Sequence, residues 1–164
     1  MKILDLNVVN AHSLYKVWLS PNSKYVFETD YHILYAVDFE LDNNPYYTAY
    51  WFNLTNPDHQ KSPGDAKIAQ TVICLIEEFF RQNPEILLYM CSTENGQQAQ
   101  RARLFLRWFN GYEQQQKYVI KAAEVKGDGQ KEYVALIIQR THPMLDEVLQ
   151  RFDDEISMFE EYKP

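Results

Sequence analysis

Residues 14–54 decide the fold class, and they read LYKVWLSPNSKYVFETDYHILYAVDFELDNNPYYTAYWFNL. β-Branched and aromatic residues, which favour strands, fill four runs within this stretch, at 14–20, 24–30, 32–41 and 46–54. Turn-forming residues separate the runs: Pro21-Asn22-Ser23, the tight Asp30-Tyr31 junction, and Asp42-Asn43-Asn44-Pro45. This alternation of strand and turn signals predicts an antiparallel meander of four strands.

After the meander, the apolar residues follow the spacing of a helix instead of the alternation of a strand. Ser62-Pro63-Gly64-Asp65 predicts a helix start, with Ser62 as the cap and proline at the first helical position. An apolar stripe follows at Ile68, Val72, Leu75, Ile76 and Phe79. The helix should stop at Asn83-Pro84, because proline disfavours helical geometry in the residue before it.

The remaining elements follow from the same signals. Ile86 to Cys91 is a short apolar run that predicts an interior strand, and a second helix should begin between Thr93 and Gly96 and end near Asn110-Gly111. Residues 117–139, with a Gly-rich turn, predict a β-hairpin. A third helix should follow His142-Pro143, with an apolar stripe at Leu145, Leu149, Phe152, Ile156 and Phe159.

Together these elements predict a single α+β domain over residues 1–164. Its N-terminal four-stranded antiparallel meander is followed by α-β-α, a β-hairpin and a C-terminal α-helix. Because strands precede the helices and the hairpin, we expect the helices to pack on one face of a mainly antiparallel sheet.

The charge and the distribution of apolar residues and cysteines disfavour several classes of function. The net charge of −7 opposes attraction to phosphate backbones and disfavours nucleic-acid binding. Asp5 and Asn7 interrupt the apolar run that a signal peptide needs, and no stretch approaches the roughly 20 apolar residues that span a bilayer. Cys74 and Cys91 lie in unlike contexts, which predicts reduced thiols. We therefore expect a cytoplasmic protein without a membrane segment.

The strand-to-helix loop at residues 91–98 has two interpretations. A helix start exposes backbone N–H groups that favour an anion, so Ser92 and Thr93 could help to bind a phosphate or carboxylate. The loop lacks the glycine and lysine fingerprints of nucleotide sites, so a plain strand-to-helix connection is the favoured interpretation. Cys91 could be a nucleophile, but Gln97 stands where a C-x5-R phosphatase motif needs arginine, and a buried strand-end cysteine is the simpler interpretation.

No catalytic, cofactor or metal site is predicted. Asp58 and His59 are adjacent on a polar loop but lack a closing set of metal ligands. Asp38 and Glu40 alternate with apolar residues on one strand and should form its exposed face.

The second predicted helix carries an unusual outward face. A helical projection puts its core stripe at Ala99, Ala102, Phe105, Leu106 and Phe109. Arg103 and Arg107 flank this stripe, while Arg101, Leu104 and Trp108 gather on the opposite side, where a solvated helix should be polar. That face either packs against the acidic C-terminal helix of the same chain or forms a surface for a protein or ligand.

Residues 83–110 contain the motif NPEILLYMC, followed by GQQ and RARLFLRWFN, and with it the chain resembles an uncharacterised Bacteroidota family of unknown function. The resemblance extends over most of the chain and implies no established activity. Positions that match the family pattern are Cys91, Gly96, Gln98, Arg101, Arg103, Phe105, Trp108 and Phe109. Ser92, Asn95 and Gln97 depart from it, because the family has an aspartate, a second acid and an arginine there.

Three functional hypotheses follow. The first is a non-catalytic protein-binding or adaptor domain that uses the Arg101/Leu104/Trp108 face, with a protein partner or a homodimer. The second is a sensor or enzyme for a phosphorylated small molecule or nucleotide, with Ser92, Thr93 and Arg101 or Arg103 as anion partners. Nucleic-acid binding ranks last.

Overall fold

The computed structural model describes residues 1–58, 60, 65–92, 116–127 and 130–161. This part of the chain contains helices α1 (Leu6–His12), α2 (Ala66–Gln82) and α3 (Leu145–Glu161). Its strands are β1 (Val17–Leu19), β2 (Tyr25–Glu28), β3 (Leu34–Leu41), β4 (Ala49–Thr55), β5 (Ile86–Ser92), β6 (Tyr118–Gly127) and β7 (Gln130–Gln139). They hydrogen bond in the order β1-β2-β3-β4-β5-β7-β6. The predicted α+β class is confirmed.

The chain divides into two compact units. Unit 1 comprises Met1–Glu40 and Phe52–Pro84. Within it β1, β2 and β3 pair antiparallel, with Val17 opposite Phe27 and Phe27 opposite Tyr35. The predicted meander therefore has its expected pairing here. The rings of Phe27 and Tyr35 stack with centroids 5.7 Å apart, and Phe39 of β3 stacks on Phe79 of α2 at 5.1 Å. Aromatic contacts thus join α2 to the strands of this unit.

Both hairpin turns of unit 1 use a residue other than glycine in the left-handed region, Ser23 at φ 63° and His32 at φ 62°. In the first turn the Ser23 N–H donates to the Ser20 carbonyl (2.9 Å), and the Ser20 N–H donates to the Lys24 carbonyl (2.8 Å). This is the hydrogen bonding of a three-residue hairpin loop whose last residue is left-handed. The turns therefore lie where the sequence places them, without the glycine that such positions favour.

The N-terminal helix α1 is an element that the sequence pattern did not predict. Its seven residues are too few to show a helical apolar period, and Val9 is its buried residue. Asp5 caps the helix by accepting a hydrogen bond from the Asn7 N–H (3.0 Å). The Asn10 side chain accepts a hydrogen bond from the Val17 N–H (2.8 Å) and donates one to the Val17 carbonyl (2.9 Å). Its side-chain amide therefore hydrogen bonds both backbone groups of Val17 at the outer edge of β1.

The predicted start of α2 at Ser62 is wrong. Asp65 is the N-cap, with an extended backbone (φ −142°), and its side chain accepts from the Lys67 N–H at 2.9 Å. Aspartate is as good a cap as serine, and the Tyr15 hydroxyl donates to the same carboxylate, which fixes the later start. The helix ends at Gln82, before Asn83-Pro84, as predicted.

Unit 2 comprises Leu41–Trp51 and Glu85–Pro164. β7 pairs antiparallel with both β5 and β6, and the register places Ala135 opposite Tyr89 and Ala122. The predicted interior strand and hairpin are confirmed. The core cluster of this unit contains residues from its strands together with Val148 and Phe152 of α3. The C-terminal helix therefore packs on its own unit through Leu145, Leu149, Phe152 and Ile156 of the predicted stripe, whereas the side chain of Phe159 lies outside the described ones.

His142 caps α3 in an uncommon way. Its Nδ1 accepts a hydrogen bond from the Met144 N–H (3.0 Å), and its carbonyl accepts from the Leu145 N–H (3.2 Å). Burial lowers the pKa of His142 below its ordinary value of 6.5, against the opposing field of Glu85. The neutral ring is therefore the form that holds this helix start.

Within the described ranges no helix is long and apolar enough to cross a membrane.

Candidate functional site

Most site residues predicted from the sequence lie outside the described residues; they are Thr93, Arg101, Arg103, Leu104, Arg107 and Trp108. His59 of the weak metal hypothesis lies outside them as well. Ser92 is the last residue of β5, where its backbone pairs opposite Glu132, and Cys91 pairs opposite Tyr133. The anion loop and the arginine-bearing helix face therefore stay predictions.

A surface of unit 2 combines side chains of the connection between β3 and β4 with one side chain of α3. Asp42 follows β3, and its N–H donates to the Ala49 carbonyl (2.9 Å), which closes the connection between β3 and β4. The indole Nε1 of Trp51 donates to Asp42 Oδ1 at 3.0 Å. Tyr46, at the tip of the same connection, keeps 55% of its surface exposed. The connection thus presents an exposed ring beside an anchored carboxylate.

Arg151 of α3 completes this surface. Its guanidinium carbon lies 3.6 Å from the centroid of the Tyr46 ring, and its terminal nitrogen lies 3.6 Å from Glu147 Oε1. The Nε atom of Arg151 is buried and has no hydrogen-bond partner among the described residues. The guanidinium is therefore positioned by stacking on an aromatic ring more than by hydrogen bonds. We call Asp42, Tyr46, Trp51 and Arg151 the Tyr46–Arg151 surface.

Carboxylates lie near the guanidinium of Arg151. Burial, together with the charges of Glu155 and Asp42, raises the pKa of Tyr47 to about 12, and the charge of Arg151 opposes this shift. Burial, followed by the charge of Asp42, raises the pKa of the Glu155 carboxyl, and Arg151 again opposes the shift. Arg151 therefore counters the negative charge of Glu155 as well as that of Glu147, and the Tyr47 phenol stays protonated at neutral pH.

A polar cluster of unit 1 stabilises a helix start. Tyr15 donates to the Asp65 carboxylate, while Lys67 Nζ donates to Asp30 Oδ2 at 2.7 Å. Burial and the hydrogen bond to Asp65 raise the pKa of Tyr15 to about 12, and the Lys67 hydrogen bond lowers that of Asp30. The phenol is thus a donor at neutral pH, and each member of the cluster has a partner within it.

Cys74 lies half-buried on α2, and Gln70 Nε2 contacts its sulfur at 3.5 Å. Burial raises the pKa of this thiol to about 11, and the charge of Glu77 adds to the shift. A thiol that stays protonated at neutral pH is a poor nucleophile.

The expected exposed strand face at Asp38 and Glu40 is correct for Glu40 alone. Glu40 is exposed, whereas Asp38 is half-buried and accepts a hydrogen bond from Asn53 Nδ2 (2.8 Å). Lys24 Nζ lies 3.7 Å from the same carboxylate. Cross-strand pairing with Asn53 and Lys24 explains why a polar residue tolerates this burial.

Sequence reasoning missed Tyr46, Trp51 and Arg151. The strand pattern places Tyr46 in the fourth strand, but β4 begins at Ala49, so the ring belongs to the connection before it. Nothing in local spacing joins Tyr46 to Arg151, which follows it by more than 100 residues. The one available signal was Arg151 itself, because it is the single basic residue of the predicted C-terminal helix.

Comparisons with known proteins give a family and no function. No group of three or more His, Cys, Asp or Glu side chains within the described ranges could hold a metal ion. No curated protein and no solved structure matches the chain. A family profile matches residues 64–154, more than half of the 164 residues, and this range includes the 83–110 motif. The chain therefore belongs to the family of unknown function DUF6169.

Proposed function

We propose that this chain is a non-catalytic protein-binding or adaptor domain. The stacking of Arg151 on the exposed Tyr46 ring, 3.6 Å from the guanidinium carbon, is the observation that carries the proposal. Tyrosine, tryptophan and arginine are the residue types most enriched among the few side chains that dominate protein interfaces. The Tyr46–Arg151 surface combines Arg151 and the exposed Tyr46 with Trp51, which is half-buried and packs against the core of unit 2.

Preorganisation is the physical advantage of this surface. Immobilising a flexible side chain on binding costs about 0.5–1.5 kcal/mol. Stacking on Tyr46 already restricts Arg151, and the hydrogen bond to Asp42 already orients the Trp51 ring. A partner that covers Tyr46 would therefore bury apolar ring area without first ordering these side chains.

The Arg101/Leu104/Trp108 face is the second part of the proposal, and it rests on the helical projection of the sequence. Arg103 and Arg107 flank this face. Its arginine and tryptophan are the same interface anchors that unit 2 presents. A protein partner or a second copy of the chain could cover it, in a bacterial cytoplasmic setting.

The competing function is recognition of a phosphorylated small molecule or nucleotide at loop 91–98, through Ser92, Thr93 and Arg101 or Arg103. It predicts a thermal shift with at least one member of a nucleotide and phosphosugar panel. Nucleic-acid binding predicts salt-sensitive retention on a DNA or RNA column, against the net charge of −7.

Site-specific photo-crosslinking in the cells that encode the chain tests the proposal. A benzophenone amino acid replaces Tyr46 in one variant, and Tyr31 of unit 1 in the control. The two positions are matched, because Tyr31 is 54% exposed and Tyr46 is 55% exposed. Two further variants carry the crosslinker at Leu104 and at Trp108.

We expect illumination to give a discrete product heavier than the 19.5 kDa chain from position 46, and none from position 31. The same product from position 104 or 108 would support the second part of the proposal. If position 46 gives no more product than position 31, the role of the Tyr46–Arg151 surface is refuted. A product of twice the chain mass identifies a homodimer.

A further inference from the structure

A side chain of α1 closes the outer edge of β1. Asn10 Oδ1 accepts a hydrogen bond from the Val17 N–H (2.8 Å), and Asn10 Nδ2 donates to the Val17 carbonyl (2.9 Å). In an antiparallel sheet, a residue exchanges the same two hydrogen bonds with the residue opposite it on the next strand. At Val17 the Asn10 amide therefore takes the place of the backbone of a further strand.

The hydrogen bonding of β1 shows which of its backbone groups face this edge. The N–H and carbonyl of Val17 face outward to the asparagine amide, whereas the Ser20 N–H donates inward to the Lys24 carbonyl (2.8 Å). Backbone groups alternate in direction along a strand, so those of Leu19 face outward like those of Val17. Leu19 keeps 42% of its surface exposed. The edge thus has two outward-facing pairs of N–H and carbonyl groups, and the asparagine occupies one pair.

This arrangement makes the edge of β1 complementary to itself. A two-fold axis through Trp18 would place Val17 of one copy opposite Leu19 of the other, and each such pair would exchange two hydrogen bonds. The two Trp18 side chains would then face each other at the position where side chains of opposite strands approach most closely. Trp18 is 39% exposed. The β1 strand of a second copy is therefore the segment that fits this edge.

Helix α2 fixes the end of α1 that carries Asn10. Gln70 Nε2 donates to the His12 carbonyl (2.8 Å), and Gln70 Oε1 accepts from the Leu14 N–H (2.8 Å). Val9 of α1 is 1% exposed. The glutamine amide therefore fastens the connection between α1 and β1 on one side, while the asparagine amide fastens the edge strand on the other.

We propose that α1 protects the outer edge of β1 from strand addition, with Asn10 occupying the hydrogen-bonding positions that β1 of a second copy would take. Unpaired backbone groups on an edge strand are a template for pairing with another chain, and proteins protect such edges by covering them. Here the cover is an amide that satisfies the same two groups as a strand would. The inference is independent of the proposed protein-binding function, because it concerns unit 1 alone.

Sedimentation velocity over a concentration series tests the proposal. Asn10→Ala removes the covering amide, and Asn7→Ala is the matched control, because it replaces an exposed asparagine of the same helix. Arg81→Ala is a second control, since it destabilises unit 1 by removing the partner of a buried carboxylate without touching β1. Gln70→Ala loosens α1 while Asn10 stays in the chain. Thermal melts establish that each variant is folded.

We expect Asn10→Ala to raise the association constant of the chain by about thirtyfold or more, since two hydrogen bonds no longer have to break before a strand adds. Gln70→Ala should give a smaller rise. Asn7→Ala and Arg81→Ala should sediment like the wild type. Trp18→Lys in the Asn10→Ala background should reverse the association, because the two-fold axis places two like charges opposite each other.

A folded Asn10→Ala protein that associates no more than Asn7→Ala overturns the proposal. Association that Trp18→Lys leaves unchanged also overturns it, because another surface is then responsible. Equal association of Arg81→Ala and Asn10→Ala overturns it as well, because loss of stability alone is then sufficient. If Asn10→Ala does not fold, Gln70→Ala takes its place, and its association must likewise exceed that of Asn7→Ala and be reversed by Trp18→Lys.

Discussion

Removing Arg81 should destabilise the protein through the carboxylate that it leaves behind. Glu78 of α2 is 1% exposed, and both of its oxygens contact Arg81. The Arg81 Nε donates to Oε1 at 2.7 Å, and the terminal nitrogen lies 2.6 Å from the same oxygen. Arg81 itself is 53% exposed, so Arg81→Ala opens no cavity in the core.

The expected cost of Arg81→Ala is about 3 kcal/mol at pH 7. Breaking a buried ion pair by removing one partner typically costs 3–5 kcal/mol, and the lower end applies because half of Arg81 is in solvent. Glu78→Met in the Arg81→Ala background removes the orphaned charge and should restore most of the loss.

Urea denaturation measures this free energy. At a slope of about 2 kcal/mol/M, Arg81→Ala should lower the midpoint by about 1.5 M, and the double variant should lie within about 0.5 M of the wild type. A loss below 1 kcal/mol in Arg81→Ala, or no recovery with Glu78→Met, would show that the carboxylate is hydrated and that the reasoning fails.

Three further perturbations test the fold. Protonation of His142 removes the acceptor that caps α3, and the pKa of His142 is lower in the folded protein than its ordinary 6.5. The stability that this cap contributes is therefore fully present above pH 6.5 and is lost as the pH falls through the folded-state pKa. In His142→Asn this part of the acid-induced loss should be absent when the free energy of unfolding is measured between about pH 7 and pH 5. Asn10→Ala should cost about 2 kcal/mol in urea denaturation, because it removes both hydrogen bonds to Val17, and an unchanged midpoint would contradict their role. Ser23→Val should lower the free energy of unfolding by about 1–2 kcal/mol and Ser23→Gly should not, because φ is 63° there; equal melting temperatures would count against the turn assignment.

Strand and helix types could be predicted from the sequence because their signals are local. The turn groups Pro21-Asn22-Ser23 and Asp42–Pro45 bound the meander, and Asn83-Pro84 ends α2, as expected. Boundaries were less predictable where competing caps exist, as at Asp65 against Ser62. Helix α1 could not be predicted, since its seven residues are held by contacts with distant groups such as Val17.

The candidate surface could not be predicted, because it depends on tertiary contacts. Tyr46 is exposed only because β4 begins three residues later, and Arg151 reaches it only because the α3 stripe fixes the rotation of that helix. The acidic character of α3 could be read from the sequence, whereas the division between its buried and solvent faces follows from packing. The predicted Arg101/Leu104/Trp108 face stays a prediction.

The affinity of the crosslinked partner for variants of the purified chain tests the central claim most directly. Tyr46→Ala removes the exposed ring on which Arg151 stacks, and Tyr31→Ala removes an equally exposed ring of unit 1. An interface anchor costs at least 2 kcal/mol when truncated, so we predict a loss of about thirtyfold for Tyr46→Ala and less than twofold for Tyr31→Ala. Equal affinities of the two variants would contradict the account.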